Sequence, residues 1–308
     1  MFREFLPHIG TKNYNYQKFN NKLLSCTDGV KVQIDTYSDA SDFEDIFARK
    51  ENLLISSGFL DRNIDKAFEC LTELLATPNF DEPSNIADLI KMESISKANN
   101  IGNRGLEYAR SYAASGLKAH ARSFESLRRD IFFCQYAAEV LKTTQPKPML
   151  QNAIQQMTEI ASHLFRQQNL EIAIHGNSSK FPLIEMKLEM LLNSLSQNNS
   201  EYKRSQSKVE LLEDFTKPLY YQNFFKTPLS VNMCAESLLA PTIAQEDEYA
   251  SMLILQEVLT YVHLHPLIRE KGGAYGGGCS VSDSGIFSFY SYRDPNCDST
   301  FTNFERAC

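Results

Sequence analysis

The sequence predicts an α+β protein made of two units that follow one another along the chain. Segments with strand periodicity alternate with segments of helical periodicity, and this succession occurs twice within the 308 residues. Between the two successions lies Lys142–Pro148, read KTTQPKP, where two prolines interrupt helicity. We therefore place a boundary after residue 147, which gives units 1–147 and 148–308.

In the first unit, two strands and a helix are expected before residue 78. Thr27-Asp28-Gly29 stands between apolar stretches of Lys22–Asp35, and Asp-Gly at such a position favours a β-hairpin. The segment Glu51–Leu60 has the composition of a buried strand. A helix is predicted behind Asp61 and ends before Pro78. Its apolar face contains Ile64, Ala67, Phe68, Leu71, Leu74 and Leu75.

Three further helices complete the first unit. The first is opened by Pro83 and runs to about Asn99, since proline is favoured at the first helical position. Glycines at 102, 105 and 116 bracket the second helix, whose alanines at 109, 113 and 114 favour close packing. The third helix is Ser123–Lys142, with Arg128 and Arg129 on its solvated face.

The second unit is predicted to begin with a helix from Met149 to Gln167. A strand with one buried face then covers Asn169–His175, because Leu170, Ile172 and Ile174 alternate with polar residues. The later elements are a helix from Pro182 to Leu195, a mobile polar loop over 193–208 and a strand over Pro228–Leu239.

A long helix from about Glu246 precedes the most unusual segment of the chain. Its predicted apolar face consists of Ile254, Leu255, Val258, Leu259 and Val262. Pro266 is expected to kink this helix one turn before Arg269.

After this helix, five of the seven residues from Gly272 to Gly278 are glycines. Tyr275 is the single large side chain among them, so its phenol can reach a ligand without steric competition from its neighbours. Arg269 stands in the last helical turn and offers a planar fork of donors that suits carbonyl or carboxylate oxygens. The pair predicts a clamp for a peptide backbone or an oxyanion.

Two alternatives to this clamp follow from the same residues. Basic side chains at a helix C-terminus complement the helix dipole, and glycine commonly ends a helix, so Arg269 has a purely structural interpretation as well. Nucleotide binding is disfavoured, because the glycines match neither G-x-G-x-x-G nor G-x-x-x-x-G-K-[ST] and they follow a helix.

Composition excludes several classes of protein. A net charge of −7 argues against a nucleic-acid partner, and the apolar runs are too short to span a membrane. The seven cysteines show no Cys-x-x-Cys pair and are interpreted as reduced thiols. None of the six histidines stands in a His-x-x-Glu-His context, and His263 and His265 are two residues apart, so no metal site is predicted in the chain.

The glycine-rich segment carries a family resemblance. Ile268–Gly278 (IREKGGAYGGG) and Ser291–Pro295 (SYRDP) resemble the C-terminal half of the presequence proteases, with weaker similarity at Leu60–Asn63 and at Gly10-Thr11. These enzymes are the mitochondrial branch of the pitrilysin-type zinc metallopeptidases, which also includes falcilysin.

The resemblance implies a fold and a site. Residues 1–147 and 148–308 correspond to the third and fourth pitrilysin-like units, each a mostly antiparallel sheet covered by helices, and both are expected to be truncated. In such enzymes the C-terminal half closes over the zinc half. Arg269 and Tyr275 then contact the substrate beside the metal, with Gly272, Gly273, Ala274 and Gly276 in the substrate-binding loop.

The resulting hypothesis is the substrate-clamping half of a zinc metalloendopeptidase that degrades unstructured peptides such as presequences in the mitochondrial matrix. The Zn²⁺ ligands and the zinc-binding N-terminal half lie outside this chain, which alone is expected to be inactive. The alternative is a non-catalytic relative of the same fold that binds peptides or serves as a scaffold. A third hypothesis is a truncated chain without a function of its own.

Overall fold

A computed structural model describes residues 1–37, 50–118, 121, 126–142, 147–195, 223–226 and 229–307 of the chain. Helices and small antiparallel sheets build it, which confirms the predicted α+β class. The chain divides into two compact units. Unit 1 comprises Met1–Asp35, Asn52–Ser94 and Gln135–Arg204, and unit 2 comprises Thr36–Glu51, Ile95–Cys134 and Ser205–Cys308. Residues 135–204 thus group together across the boundary predicted after 147, and the two tandem family-type units stay a prediction.

The helices and strands are numbered in chain order. The helices are α1 (Phe2–Phe5), α2 (Tyr16–Leu24), α3 (Ile64–Ala76), α4 (Pro83–Asn103), α5 (Gly105–Ala114), α6 (Ser126–Lys142), α7 (Lys147–Leu164), α8 (Phe181–Ser194), α9 (Glu246–Val258), a π-helix (Leu259–Lys271) and α10 (Asp298–Glu305). The strands are β1 (Gly10–Thr11), β2 (Lys31–Tyr37), β3 (Lys50–Ser56), β4 (Pro78–Asn79), β5 (Asn232–Leu239), β6 (Gly276–Val281) and β7 (Ile286–Asp294).

Unit 1 is organised around α3 and α8, which pack against each other. Their buried side chains form one cluster, as the spacing of the apolar residues in α3 predicts. Its members are Ile64, Phe68, Ile184, Leu191 and Leu195. Beside them, β1 and β4 pair antiparallel, with Gly10 opposite Asn79.

The hairpin predicted at Thr27-Asp28-Gly29 is wrong. These residues form the turn between α2 and β2, where Gly29 adopts a left-handed φ of 95°. Helix α2 forms instead of a strand because Phe19 and Leu23, four residues apart, are both buried on one helical face. The Asp28 carboxylate accepts a hydrogen bond from the Gly58 N–H at 2.6 Å, so the turn is held to the segment after β3.

Two further strand predictions need correction. β3 is a strand but ends at Ser56, and its side chains are exposed or half-buried rather than buried, because it pairs with β2 in a sheet of two strands. Asn169–His175 forms no strand with any other described residue. Ile172 and Ile174 are 47% and 37% exposed there, so the alternation of apolar residues does not reflect a buried face.

The remaining helices agree with the sequence within a few residues. α4 begins at Pro83, α5 lies between the predicted glycines, and α7 and α8 match the predictions from Met149 and Pro182. Arg129 is exposed as expected, whereas the side chain of Arg128 and residues 196–208 of the predicted mobile loop lie outside the described part.

Unit 2 contains a three-stranded antiparallel sheet in the order β5-β7-β6. The central strand pairs Tyr290 with Ala235 on one side and with Gly278 on the other. α5 packs on β5, and the π-helix packs on β6. The buried core of the unit consists of Cys234, Leu264, Ile268, Ala274, Cys279, Phe287, Phe289 and Phe304. In the described part of the chain, no helix is long and apolar enough to cross a membrane.

Candidate functional site

The helix that carries Arg269 widens over its last half. α9 continues directly into the π-helix, which contains Pro266. The kink predicted at Pro266 is replaced by this widening, which already begins at Leu259. In an α-helix the proline ring clashes with the carbonyl four residues earlier. A turn that pairs residues five apart moves that carbonyl away, so the helix continues through the proline.

One stripe of this helix lies against β6. The stripe has a spacing of four residues and is formed by Gln256, Thr260, Leu264 and Ile268. Gln256 Oε1 accepts a hydrogen bond from the Val281 N–H at 2.8 Å, and Thr260 Oγ1 accepts one from the Cys279 N–H at 3.1 Å. The last two members are fully buried. The outer edge of β6 is therefore satisfied by helix side chains, which fixes the helix, and Arg269 with it, on the sheet.

This stripe is not the apolar face that the sequence predicts. Ile254 and Val262 are 68% and 73% exposed, and Val258 is exposed as well. Leu259 alone of the predicted set packs against the core. The prediction failed because two of the four residues that face β6 are polar and serve as hydrogen-bond acceptors for the strand.

Two glycines of β6 allow the helix to come this close. A Cβ atom at Gly278 would lie 2.9 Å from Thr260 Cγ2, and one at Gly277 would lie 2.9 Å from Ile268 Cγ2. Both distances are shorter than carbon atoms tolerate. The glycine cluster therefore has a packing role in addition to any role in ligand contact.

The loop between the helix and β6 is held by its own backbone. The Gly273 N–H donates to the Arg269 carbonyl at 2.9 Å, and the Ala274 N–H donates to the Ile268 carbonyl at 3.1 Å. Gly273 has a φ of 78°, which favours glycine. Asn296 Nδ2 donates to the Gly272 carbonyl at 2.6 Å and ties the loop to the chain after β7.

Within this frame the structure brings Arg269 and Tyr275 together. The guanidinium carbon of Arg269 lies 5.9 Å from the centre of the Tyr275 ring, within range of a cation–π contact. Both side chains are exposed, Tyr275 to 67%. Neither side chain has a hydrogen bond or ion pair to another described residue. Their donors are thus available to a ligand.

Two residues that the sequence analysis did not select extend the pair. The ring of Tyr292 packs edge-on against Tyr275, with 5.9 Å between the centres, and the Arg293 guanidinium lies 5.4 Å from the Tyr292 ring centre. We call Arg269, Tyr275, Tyr292 and Arg293 the Arg–Tyr strip. Arg293 has a φ of 49°, an uncommon conformation for a residue other than glycine.

The pairing of β6 with β7 was the signal that could have found Tyr292 and Arg293. Gly276 lies opposite Tyr292, so Tyr292 and its successor stand beside the residue that precedes the strand. A tight hairpin turn at Gly285, once assumed, fixes this register.

The strip combines two cations with two phenols on one surface. Guanidinium groups bind carboxylate and carbonyl oxygens through paired N–H donors, and a phenol hydroxyl donates one further hydrogen bond. Aromatic rings between the cations add apolar contact area. Such a surface suits the backbone oxygens of an extended peptide.

The predicted loop residues have different surroundings. Gly276 faces open space, whereas the side chain of Ala274 is buried in the core of unit 2. Substrate contact by Gly272, Gly273, Ala274 and Gly276 stays a prediction.

A metal ion does not fit the described residues. Among them, no group of three or more His, Cys, Asp and Glu side chains is arranged to hold one. His265 lies nearest to Glu270, with 3.7 Å between Nδ1 and Oε1, and this pair gains no third ligand in the described part of the chain.

Two family models match the chain. A model described as a peptidase-associated region matches residues 1–129, and the model described as "PreP C-terminal domain" matches residues 222–308. The second match includes the whole Arg–Tyr strip.

Curated proteins named "Presequence protease, mitochondrial" match the chain along nearly its full length. The protein from Danio rerio is 28% identical over 322 residues, which cover 99% of this chain and 30% of that protein. The mouse protein is 27% identical over 330 residues, with 100% and 31% covered. The protein from Saccharomyces cerevisiae is 25% identical over 310 residues, with 96% and 29% covered. The chain thus spans about 30% of the length of these relatives.

Proposed function

We propose that this chain, which is similar along its whole length to the presequence proteases, forms the substrate-clamping part of a zinc metalloendopeptidase that degrades unstructured peptides. The observation on which the proposal rests is the Arg–Tyr strip. Its two outer members are cations, its two inner members are phenols, and Arg269 and Tyr275 have no competing partner among the described residues.

The roles of the two central residues follow from their chemistry. The Tyr275 hydroxyl donates a hydrogen bond to the carbonyl oxygen of the scissile peptide, where negative charge develops during hydrolysis. Arg269 binds a neighbouring backbone oxygen or a carboxylate with its planar fork and so orients the peptide. The backbone bonds of Gly273 and Ala274 hold both side chains in position before the peptide binds.

The zinc ion, in this proposal, is held by residues outside the described part of this chain. When bound, it supplies Lewis-acid activation of water for peptide hydrolysis. The partners are peptide substrates and the zinc-binding N-terminal half of the same protein, with no nucleic acid and no membrane. The location is the mitochondrial matrix, which the names of the relatives support.

The test is a pair of substitutions in the full-length protein. Tyr275→Phe removes the hydroxyl and keeps the ring, so kcat on an unstructured peptide should fall about 100- to 1000-fold. Arg269→Lys keeps the charge but loses the planar fork, so KM should rise and kcat should fall. Zinc content should stay unchanged in both variants, because neither residue is proposed as a ligand.

A matched control is Tyr261→Phe. Tyr261 is as exposed as Tyr275, at 66% against 67%, and lies on the π-helix outside the strip. Its substitution should leave turnover unchanged. Wild-type turnover in Tyr275→Phe would contradict the clamp and favour the non-catalytic, peptide-binding or scaffolding alternative. Loss of zinc would show that the substitution had disturbed the fold.

A further inference from the structure

Unit 2 contains a cavity of about 500 Å³ that no member of the Arg–Tyr strip lines. It follows the outer edge of β5, with α5 on one face of the sheet and α10 on the other. Its size falls within the range of ligand-binding pockets in proteins.

The backbone of β5 is available along this edge. The Ala240 N–H donates to the Gly285 carbonyl at 3.0 Å, so residue 240 and every second residue before it pair with β7. The N–H and C=O groups of Ala235 and Ser237 therefore point away from β7, towards the cavity that both residues line. No other described residue bonds them. A strand edge with free donors and acceptors accepts a further strand.

One face of this edge is acidic. Glu236 lies on the same face as Cys234, the face that packs on α10, and Glu305 of α10 also lines the cavity. Burial, and then the negative charge of Glu305, raise the pKa of the half-buried Glu236 carboxyl. No basic side chain in the described part of the chain pairs with Glu236. A cation placed here would relieve the repulsion between the two carboxylates.

The opposite face of the edge is aromatic. Tyr108 and Tyr112 of α5 line it, and the Phe225 ring packs edge-on against Tyr112 with 4.8 Å between the centres. The hydroxyl of Tyr108 is already used, since it donates to Asp130 Oδ2 at 2.7 Å. Tyr108 therefore offers mainly its ring to an occupant.

We propose that this cavity binds a short extended peptide segment of the pattern apolar–basic–apolar as an added strand on β5. A residue directly opposite Glu236 has its side chain on the acidic face, because cross-strand neighbours share a face. The residues on either side of it point to the aromatic face, because successive side chains alternate. These two flanking residues exchange backbone hydrogen bonds with Ala235 and Ser237. Binding requires no hydrolysis, so this site is independent of the function proposed for the strip.

The test is equilibrium binding of a blocked tripeptide, acetyl-Phe-Lys-Phe-amide, to the full-length protein, with peptide integrity checked by mass spectrometry. Replacing the lysine with glutamate should weaken binding about tenfold or more, the factor expected when one charge-assisted hydrogen bond is lost. Methylating the backbone nitrogens of both Phe residues should weaken it by a similar factor, because these nitrogens donate to β5. Blocked lysine alone should bind much more weakly than the tripeptide.

Variants locate the binding. Glu236→Gln should weaken binding of the lysine peptide about tenfold. The control Glu248→Gln changes the same charge at an exposed position of α9 and should have no effect. Arg269→Lys should also leave tripeptide binding unchanged, which separates this site from the strip.

Several results would overturn the inference. They are equal binding of the lysine and glutamate peptides, undiminished binding of the methylated peptide, binding of blocked lysine as tight as that of the tripeptide, and no binding of the lysine peptide at about 1 mM, a concentration that corresponds to only about 4 kcal/mol. The test of the strip through Tyr275→Phe can fail without changing any of these outcomes.

Discussion

Unit 2 holds two clusters of charged and phenolic side chains that differ in burial. In the first, Lys97 Nζ donates to Asp130 Oδ1 at 2.9 Å and the Tyr108 hydroxyl donates to Asp130 Oδ2 at 2.7 Å, with both charged side chains 8% exposed. The second is the Arg–Tyr strip, whose Arg269 and Tyr275 are exposed.

The difference shows how the same residue types serve different ends. A buried ion pair whose oxygens and protons are all satisfied contributes to the folded state, and its loss leaves an uncompensated charge. Exposed donors without a partner contribute little to stability and remain free for a ligand. We therefore expect substitutions in the buried cluster to change unfolding, and substitutions in the strip to change catalysis.

The largest effect is expected from Lys97→Met. It removes the cation beside Asp130 and leaves a buried carboxylate unpaired, which should cost about 3–5 kcal/mol of unfolding free energy. Denaturant unfolding of the full-length protein, followed by hydrogen exchange in α5, measures this loss. Turnover per folded molecule should be unchanged. A stability loss below about 1 kcal/mol, typical of surface pairs, would contradict the distinction between the clusters.

Tyr108→Phe should have a smaller effect that depends on pH. Burial, and then the hydrogen bond to Asp130, raise the pKa of Tyr108. The stabilisation is therefore complete below the unfolded-state pKa of about 10 and is lost as pH rises above it. Wild type should exceed Tyr108→Phe by about 1.5–3 kcal/mol at pH 7 to 9, the worth of a hydrogen bond to a charged group.

Unfolding curves of the two proteins at pH 7, 9 and 10.5 measure this difference. It should shrink at the highest pH. A difference that grows with pH would mean that the phenol is ionised in the folded protein and would contradict the hydrogen-bonded assignment.

Gly278→Ala tests the coupling between packing and the strip. The added methyl group meets Thr260, whose Cγ2 would lie at 2.9 Å, so the helix and β6 must move apart. Overpacking of this kind costs about 1–3 kcal/mol. Turnover should fall as well, because Arg269 moves with the helix. Gly276→Ala is the matched control, since no atom lies within 4 Å of the added Cβ there.

The smallest effect on stability is expected from Arg293→Gly. Its left-handed backbone conformation costs about 1–2 kcal/mol for a residue with a side chain. Glycine removes this strain but loses conformational freedom on folding, so the net change should be within about 1 kcal/mol. The KM for an unstructured peptide should rise, since one cation of the strip is lost. An unchanged KM would exclude Arg293 from the peptide surface.

Much of this could be predicted from the sequence where one element decides its own structure. Helix α3 is amphipathic over thirteen residues, α4 begins at a proline, and the loop after the π-helix is rich in glycine, so these elements were predicted close to their observed bounds. The pair Arg269 and Tyr275 was selected for the same reason: both residues lie within one short segment.

Predictions failed where a partner decides the structure. Asn169–His175 alternates like a strand, but alternation alone supplies no neighbouring strand to pair with. The face of α9 and the π-helix that packs on β6 includes Gln256 and Thr260, which a search for apolar residues discards. Tyr292 and Arg293 join the site only through the register of β6 and β7, which the spacing within either strand does not give.

The π-helix also makes the number of residues before the glycine loop a structural constant. Each helical residue added or removed turns everything beyond it by about 100° around the axis. Thr260 and Gln256 fix the start of this rotation on β6, whereas Tyr275 is fixed by β7, to which its N–H donates through the Tyr292 carbonyl at 3.1 Å. A single deletion between Thr260 and Arg269 would therefore point the guanidinium away from Tyr275, even with every side chain of the strip retained. In this segment, length is under as strict a constraint as residue identity.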